Sequence, residues 1–100
     1  MLHHVFFWLK NPASEEDKQK LIKGLYGLKQ TDTPRSIHIG VPASTPAREV
    51  VDHSYHASLL VTFDNLEDHD RYQDHPAHLE FVEKCSHLWE RVQVYDTEEV

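Results

Sequence analysis

One hundred residues with 39% apolar content and ten aromatic side chains suffice for one packed domain, residues 1–100, and exclude a disordered chain. A net charge of −7 with scattered Lys and Arg offers nothing to a phosphate backbone or an anionic bilayer. No apolar run approaches the ~20 residues of a membrane span, and the one cysteine, Cys85, excludes an internal disulfide, so a cytoplasmic protein without nucleic-acid or membrane partners is expected.

Leu2 to Leu9 is β-rich, ends at Asn11-Pro12, and predicts a first strand. Val5, Phe7 and Leu9 share one side of it, Phe6 and Trp8 the other. The Val5–Leu9 run is too short for a signal sequence and lacks a basic lead-in. Ser14 then caps a helix whose first turn carries Glu15, Glu16 and Asp17, three carboxylates suited to the positive end of the helix dipole. Leu21, Ile22, Leu25, Tyr26 and Leu28 supply its apolar face. Ser36 to Val41 predicts a second strand, and Pro42 to Asp52 a proline-punctuated, mobile loop. Tyr55 to Phe63 alternates cleanly and predicts a third strand. Asp64 or Asn65 caps a short helix to Asp74, Pro76 starts another reaching about Glu90, and Val92 to Tyr95 closes as a fourth strand.

The order β-α-β-β-α-β is that of the ferredoxin-like α+β fold, with a four-stranded antiparallel sheet and helices on one face. The first strand is apolar on both sides, so the helix-free face needs a second cover. A second copy of the chain is the simplest, giving a homodimer with sheets face to face. Nine histidines carry the charge from −7 to +2 when all are protonated, so association is expected to change between pH 7 and 5.

The densest chemistry lies in Tyr72-Gln-Asp-His75-Pro76-Ala-His78. Pro76 has no N–H to donate and suits the first turn of a helix, which leaves His75 extended as an N-cap-like residue. Leu79, Val82, Cys85 and Leu88 repeat at helical spacing. His78 precedes Val82 by four and Cys85 by seven, so it falls on the buried stripe. Burial and the helix N-terminus both disfavour its imidazolium, and a neutral imidazole can accept a proton. Cys85 on that stripe reads as a buried, inert thiol.

His75/His78 and His53/His56 stand three apart, but one pair straddles a helix start and the other spans opposite strand faces. No local spacing gathers three ligands, so no metal and no other cofactor is predicted; any metal site would have to be long-range or shared across the dimer. No Ser-His-Asp context or nucleophile elbow is present.

The chain resembles the stress-responsive dimeric α/β-barrel (Dabb) family. The resemblance spans His4 with Val5-Phe6-Phe7, Ala13-Ser14-Glu15-Glu16, Gly40, Val61-Thr62-Phe63-Asp64 with Glu67-Asp68, the Tyr72–His78 block, Phe81-Val82, and Val92-Gln93-Val94-Tyr95-Asp96. It implies a ferredoxin-like subunit in a dimeric α+β barrel. A plant branch of the family resembles cofactor-free polyketide cyclases, which implies His78 as general base and Tyr72 as the group that orients or polarises a carbonyl. His4, if it faces the helices, would be a third polar group at that cavity, and Tyr26 could line its wall; both are taken as substrate-binding candidates. One departure stands out: the cyclase-like strand histidine falls at Ala57 here. His56 lies one residue early and is expected to point to the dimer face. The alternative to a cyclase or lyase is a non-catalytic, ligand-binding or stress-associated homodimer with structural histidines.

Overall fold

The computed structural model describes all residues 1–100. Its elements run β1 (Leu2–Leu9), α1 (Glu15–Gly27), β2 (Ser36–Gly40), β3 (Ala57–Thr62), α2 (Leu66–Asp74), α3 (Pro76–Cys85) and β4 (Trp89–Thr97), with 3-10 turns at Leu28–Gln30 and Ser86–Leu88. The sheet is antiparallel throughout, in the order β2-β3-β1-β4. This is the expected ferredoxin-like arrangement.

Strand parity decides what reaches the core. On β1, His3, Val5, Phe7 and Leu9 are buried beneath the helices. Their partners on β3 include Val61 opposite His3, Leu59 opposite Val5 and Ala57 opposite Phe7. Leu21, Leu25 and Leu28 from α1 and Phe81 and Cys85 from α3 complete this core. Gly24 permits the close approach of the two helices, because a Cβ there would lie 2.4 Å from Cys85 Sγ. Cys85 is free and buried, and burial pushes its thiol up from the ordinary range, as suits an inert side chain.

The caps follow the sequence. Asp17 N–H donates to Ser14 Oγ at 3.1 Å and Asp68 N–H to Asn65 Oδ1 at 2.8 Å. His75 closes α2 and opens α3, its Nδ1 accepting from Ala77 N–H at 3.0 Å with Pro76 at the first helical position.

Three boundaries differ from expectation. Helix α3 stops at Cys85 rather than near Glu90, because Leu88 turns into the core and Trp89 pairs with Leu9 in the β1/β4 ladder. β4 is correspondingly longer than Val92–Tyr95 and pairs with β1 from Leu2–Thr97 to Leu9–Trp89. β3 begins at Ala57 rather than Tyr55: His56 N–H still bonds Phe7 O at 2.8 Å, but its ring Nδ1 accepts from Leu9 N–H at 2.9 Å. His56 therefore caps the end of β1 instead of simply projecting from the open face. The Pro42–Asp52 loop is tied to the sheet through its continuation, where Trp8 Nε1–H donates to Ser54 Oγ at 3.0 Å.

The helix-free face carries His4, Phe6 and Trp8 from β1. Phe6 packs edge-on against Tyr55 at 4.9 Å and Tyr95 at 6.1 Å, and the Arg91 guanidinium lies 4.2 Å over the Trp8 ring. Tyr95 is 59% exposed.

Candidate functional site

Helix α2 ends, and α3 begins, directly over the end of the sheet where β1 starts. Tyr72, in the last turn of α2, is fully buried, and its ring lies 4.8 Å from that of His78 in an edge-on pose. His78 sits in the first turn of α3, where its N–H bonds His75 O at 2.9 Å. Tyr72 Oη and His78 Nδ1 are both buried and neither finds a hydrogen-bond partner among protein atoms. Buried polar groups are nearly always paired, so two orphans side by side mark a place where folding stability was not the governing demand.

The electrostatics agree with the geometry. Burial lowers the His78 imidazole below its ordinary 6.5, and nearby His3 and His69 push it down further. Burial alone pushes the Tyr72 phenol well above its usual range, which keeps it a proton donor. The pair thus presents a neutral base and a protonated phenol at pH 7.

Around this pair stands a polar cluster that sequence reading did not assemble. His3 is 6% exposed and faces the helices, its ring 6.2 Å from Tyr72 and 5.0 Å from His69. Asp96 is its cross-strand partner in the β1/β4 ladder, and His3 Nδ1–H donates to Asp96 Oδ1 at 2.6 Å. His69, three residues before Tyr72 and so on the same helix face, packs edge-on against Phe63 at 5.5 Å. The signals were present: the Val5/Phe7/Leu9 parity extends backward to His3, and Asp96 shares the face of Val92 and Val94.

The two substrate-binding candidates lie elsewhere. His4 belongs to the opposite strand face, against Phe6 at 4.3 Å, so parity excludes it from the helix-side site. Tyr26 is 52% exposed with the Lys29 ammonium 5.2 Å above its ring. It lines a groove of about 370 Å³ with Ile22, Ile39 and Val41, which neither Tyr72 nor His78 lines. A second groove, about 360 Å³ between α1 and α3, contains Gly24, Ala77, Phe81 and Cys85, and again not the Tyr72–His78 pair. Its shape comes from two helices held close at Gly24, and the one buried titratable group in it, the Cys85 thiol, is kept protonated by that burial. No helix is long and apolar enough to cross a membrane.

Comparison with solved structures returns the same fold. The chain is 26% identical to an Arabidopsis thaliana protein, covering 99% of this chain and 94% of that one with a TM-score of 0.77. A dimeric Bacteroides fragilis protein of unknown function with a ferredoxin-like fold is 22% identical, with coverage of 98% and 94% and a TM-score of 0.75. A hydroxynitrile lyase from Passiflora edulis is also 22% identical, with coverage of 99% and 94% and a TM-score of 0.77. No curated protein matches the chain significantly. The family profile described as the stress responsive A/B barrel domain matches residues 1–99, nearly the whole length, and the chain therefore belongs to the Dabb family.

Proposed function

We propose that this protein is a cofactor-independent enzyme of the lyase or cyclase type, acting on a small carbonyl compound of polyketide-like character. His78 accepts a proton from the carbon next to a carbonyl, or from the hydroxyl of a carbonyl adduct. Tyr72 donates a hydrogen bond to the oxygen on which negative charge develops. The observation that carries the reading is that two neighbouring rings each hold a buried, unpartnered polar atom, Tyr72 Oη and His78 Nδ1. The shared fold with a hydroxynitrile lyase is compatible with it, as that scaffold supports such an activity in at least one protein.

The working unit in this reading is a cytoplasmic homodimer closed over the helix-free face, where Phe6, Tyr55 and Tyr95 await a cover. Similar structures described as dimeric support it.

One observation favours a second reading, a ligand-binding dimer without turnover: none of the three developed surface grooves is lined by Tyr72 or His78. The two readings separate in one assay. Wild type, His78→Ala and Tyr72→Phe are incubated with a panel of poly-β-keto compounds and α-hydroxynitriles, following product formation and, separately, binding. Turnover by wild type that falls about 10²–10⁴-fold in His78→Ala supports the enzyme. Binding without turnover by any of the three supports the second reading.

A further inference from the structure

We propose that His3, His69 and Asp96 form a binding site for a divalent transition-metal ion of the zinc class. One ligand comes from each of β1, α2 and β4; His69 lies 66 positions and Asp96 93 positions after His3, and the fold brings the three together. One donor atom from each residue lies within 4.8 Å of the other two. A tetrahedral ion at about 2.0–2.2 Å from its ligands holds them roughly 3.3 Å apart, so the site closes with modest side-chain rotation. That freedom exists at its rim, where the Asp96 side chain is 46% exposed.

The donor set is chemically selective. Two imidazoles and one carboxylate suit zinc and its first-row neighbours, whereas calcium and magnesium call for all-oxygen shells. Asp70 Oδ1 stands 3.1 Å from His69 Nδ1 and orients that ring, leaving Nε2 as its free nitrogen. Asp96 has a second carboxylate oxygen beyond the one that accepts from His3. Three protein ligands leave a fourth position for a small molecule, and Tyr72, fully buried with an unpartnered hydroxyl, packs against the His3 ring beside it. An ion-bound water or ligand oxygen would give that hydroxyl the partner that no protein atom supplies. The inference rests on these three ligands and not on the proposed activity of His78, so either can fail without the other.

The test uses the full chain, stripped of metal by chelation, in calorimetric titration with Zn²⁺ and in optical titration with Co²⁺. One ion per chain is expected, with the visible absorption of tetrahedral Co²⁺, a rise in melting temperature on adding Zn²⁺, and paramagnetic broadening strongest at the imidazole resonances of His3 and His69 and far weaker at His53 on the exposed loop. His69→Ala weakens Zn²⁺ binding by more than about 100-fold, beyond what loss of an outer-shell partner does, and Asp96→Asn weakens it by at least about tenfold. His53→Ala, on the exposed loop, leaves affinity unchanged. Absence of stoichiometric binding to wild type overturns the proposal. So does binding that survives His69→Ala and Asp96→Asn but falls in His53→Ala, because the ion would then sit on surface histidines. The broadening pattern needs no variant and decides the matter should either substitution unfold the chain.

Discussion

Replacing Tyr72 by Phe should make this protein more stable and less active. The ring is wholly buried among Phe63, His3 and His78, so Phe fills the same space and keeps the tilted contact with Phe63 at 5.3 Å and the edge-on contacts with His3 and His78 at 6.2 and 4.8 Å. What leaves is a hydroxyl without a hydrogen-bond partner. Holding such a group in a core costs about 1–3 kcal/mol relative to water. Deleting one oxygen leaves too small a gap to offset that, so the net gain should be about 1 kcal/mol. For a domain of this size that raises the melting temperature by roughly 4–8 °C. Thermal unfolding of metal-free wild type and variant at pH 7.5, checked by urea denaturation, reads it directly. The same substitution removes the donor to the developing oxyanion and should lower turnover about 10²–10³-fold. A Tyr72→Phe protein less stable than wild type by about 0.5–1.5 kcal/mol would refute the reasoning, since that is the signature of a satisfied hydrogen bond.

Other consequences follow from burial and register. His78 and His4 are both held below 6.5 by burial, so the unfolded chain binds their protons more readily than the folded one. Their contribution to stability is present above about pH 6.5 and lost as pH falls toward the folded values, and melting temperatures measured from pH 8 to 5 should decline from about 6.5 downward; a flat profile contradicts this. Gly24→Ala places a Cβ 2.4 Å from Cys85 Sγ and 3.3 Å from Phe81 Cδ1 and should cost about 1–3 kcal/mol in denaturant unfolding. Adding Cys85→Ala should recover part of that loss, and equal stability of Gly24→Ala and wild type would count against the close helix packing. Phe6→Asp buries a charge in the proposed dimer face, and sedimentation should show a monomer where wild type sediments as a dimer. Wild type that is monomeric at micromolar concentration contradicts the dimer itself.

Much of the architecture was legible because it depends on local rules. Alternation in β1 and β3, the Ser14 and Asn65 caps, and the proline at position 76 each act within a few residues, and the fold follows from their order. The end of α3 was not legible. Nothing nearby stops a helix at Cys85; the strand partner of Trp89, far away at Leu9, does. The site divides the same way. Tyr72 and His78 could be placed because they flank one helix start, but His3 and Asp96 meet only through the β1/β4 register, and His69 joins them only once α2 lies over β1. His4 is a candidate only on the condition that it faces the helices, and the parity of Val5, Phe7 and Leu9 points inward through His3 instead.

The account turns on a neutral His78 acting as base, and the pH dependence of kcat/KM for the best carbonyl substrate, measured on metal-free protein, tests it most directly. The predicted profile is flat near neutrality and falls on the acid side with an apparent pKa below 6.5, and His78→Ala abolishes that limb together with most of the turnover. An acid limb that persists unchanged in His78→Ala, at wild-type turnover, would contradict it.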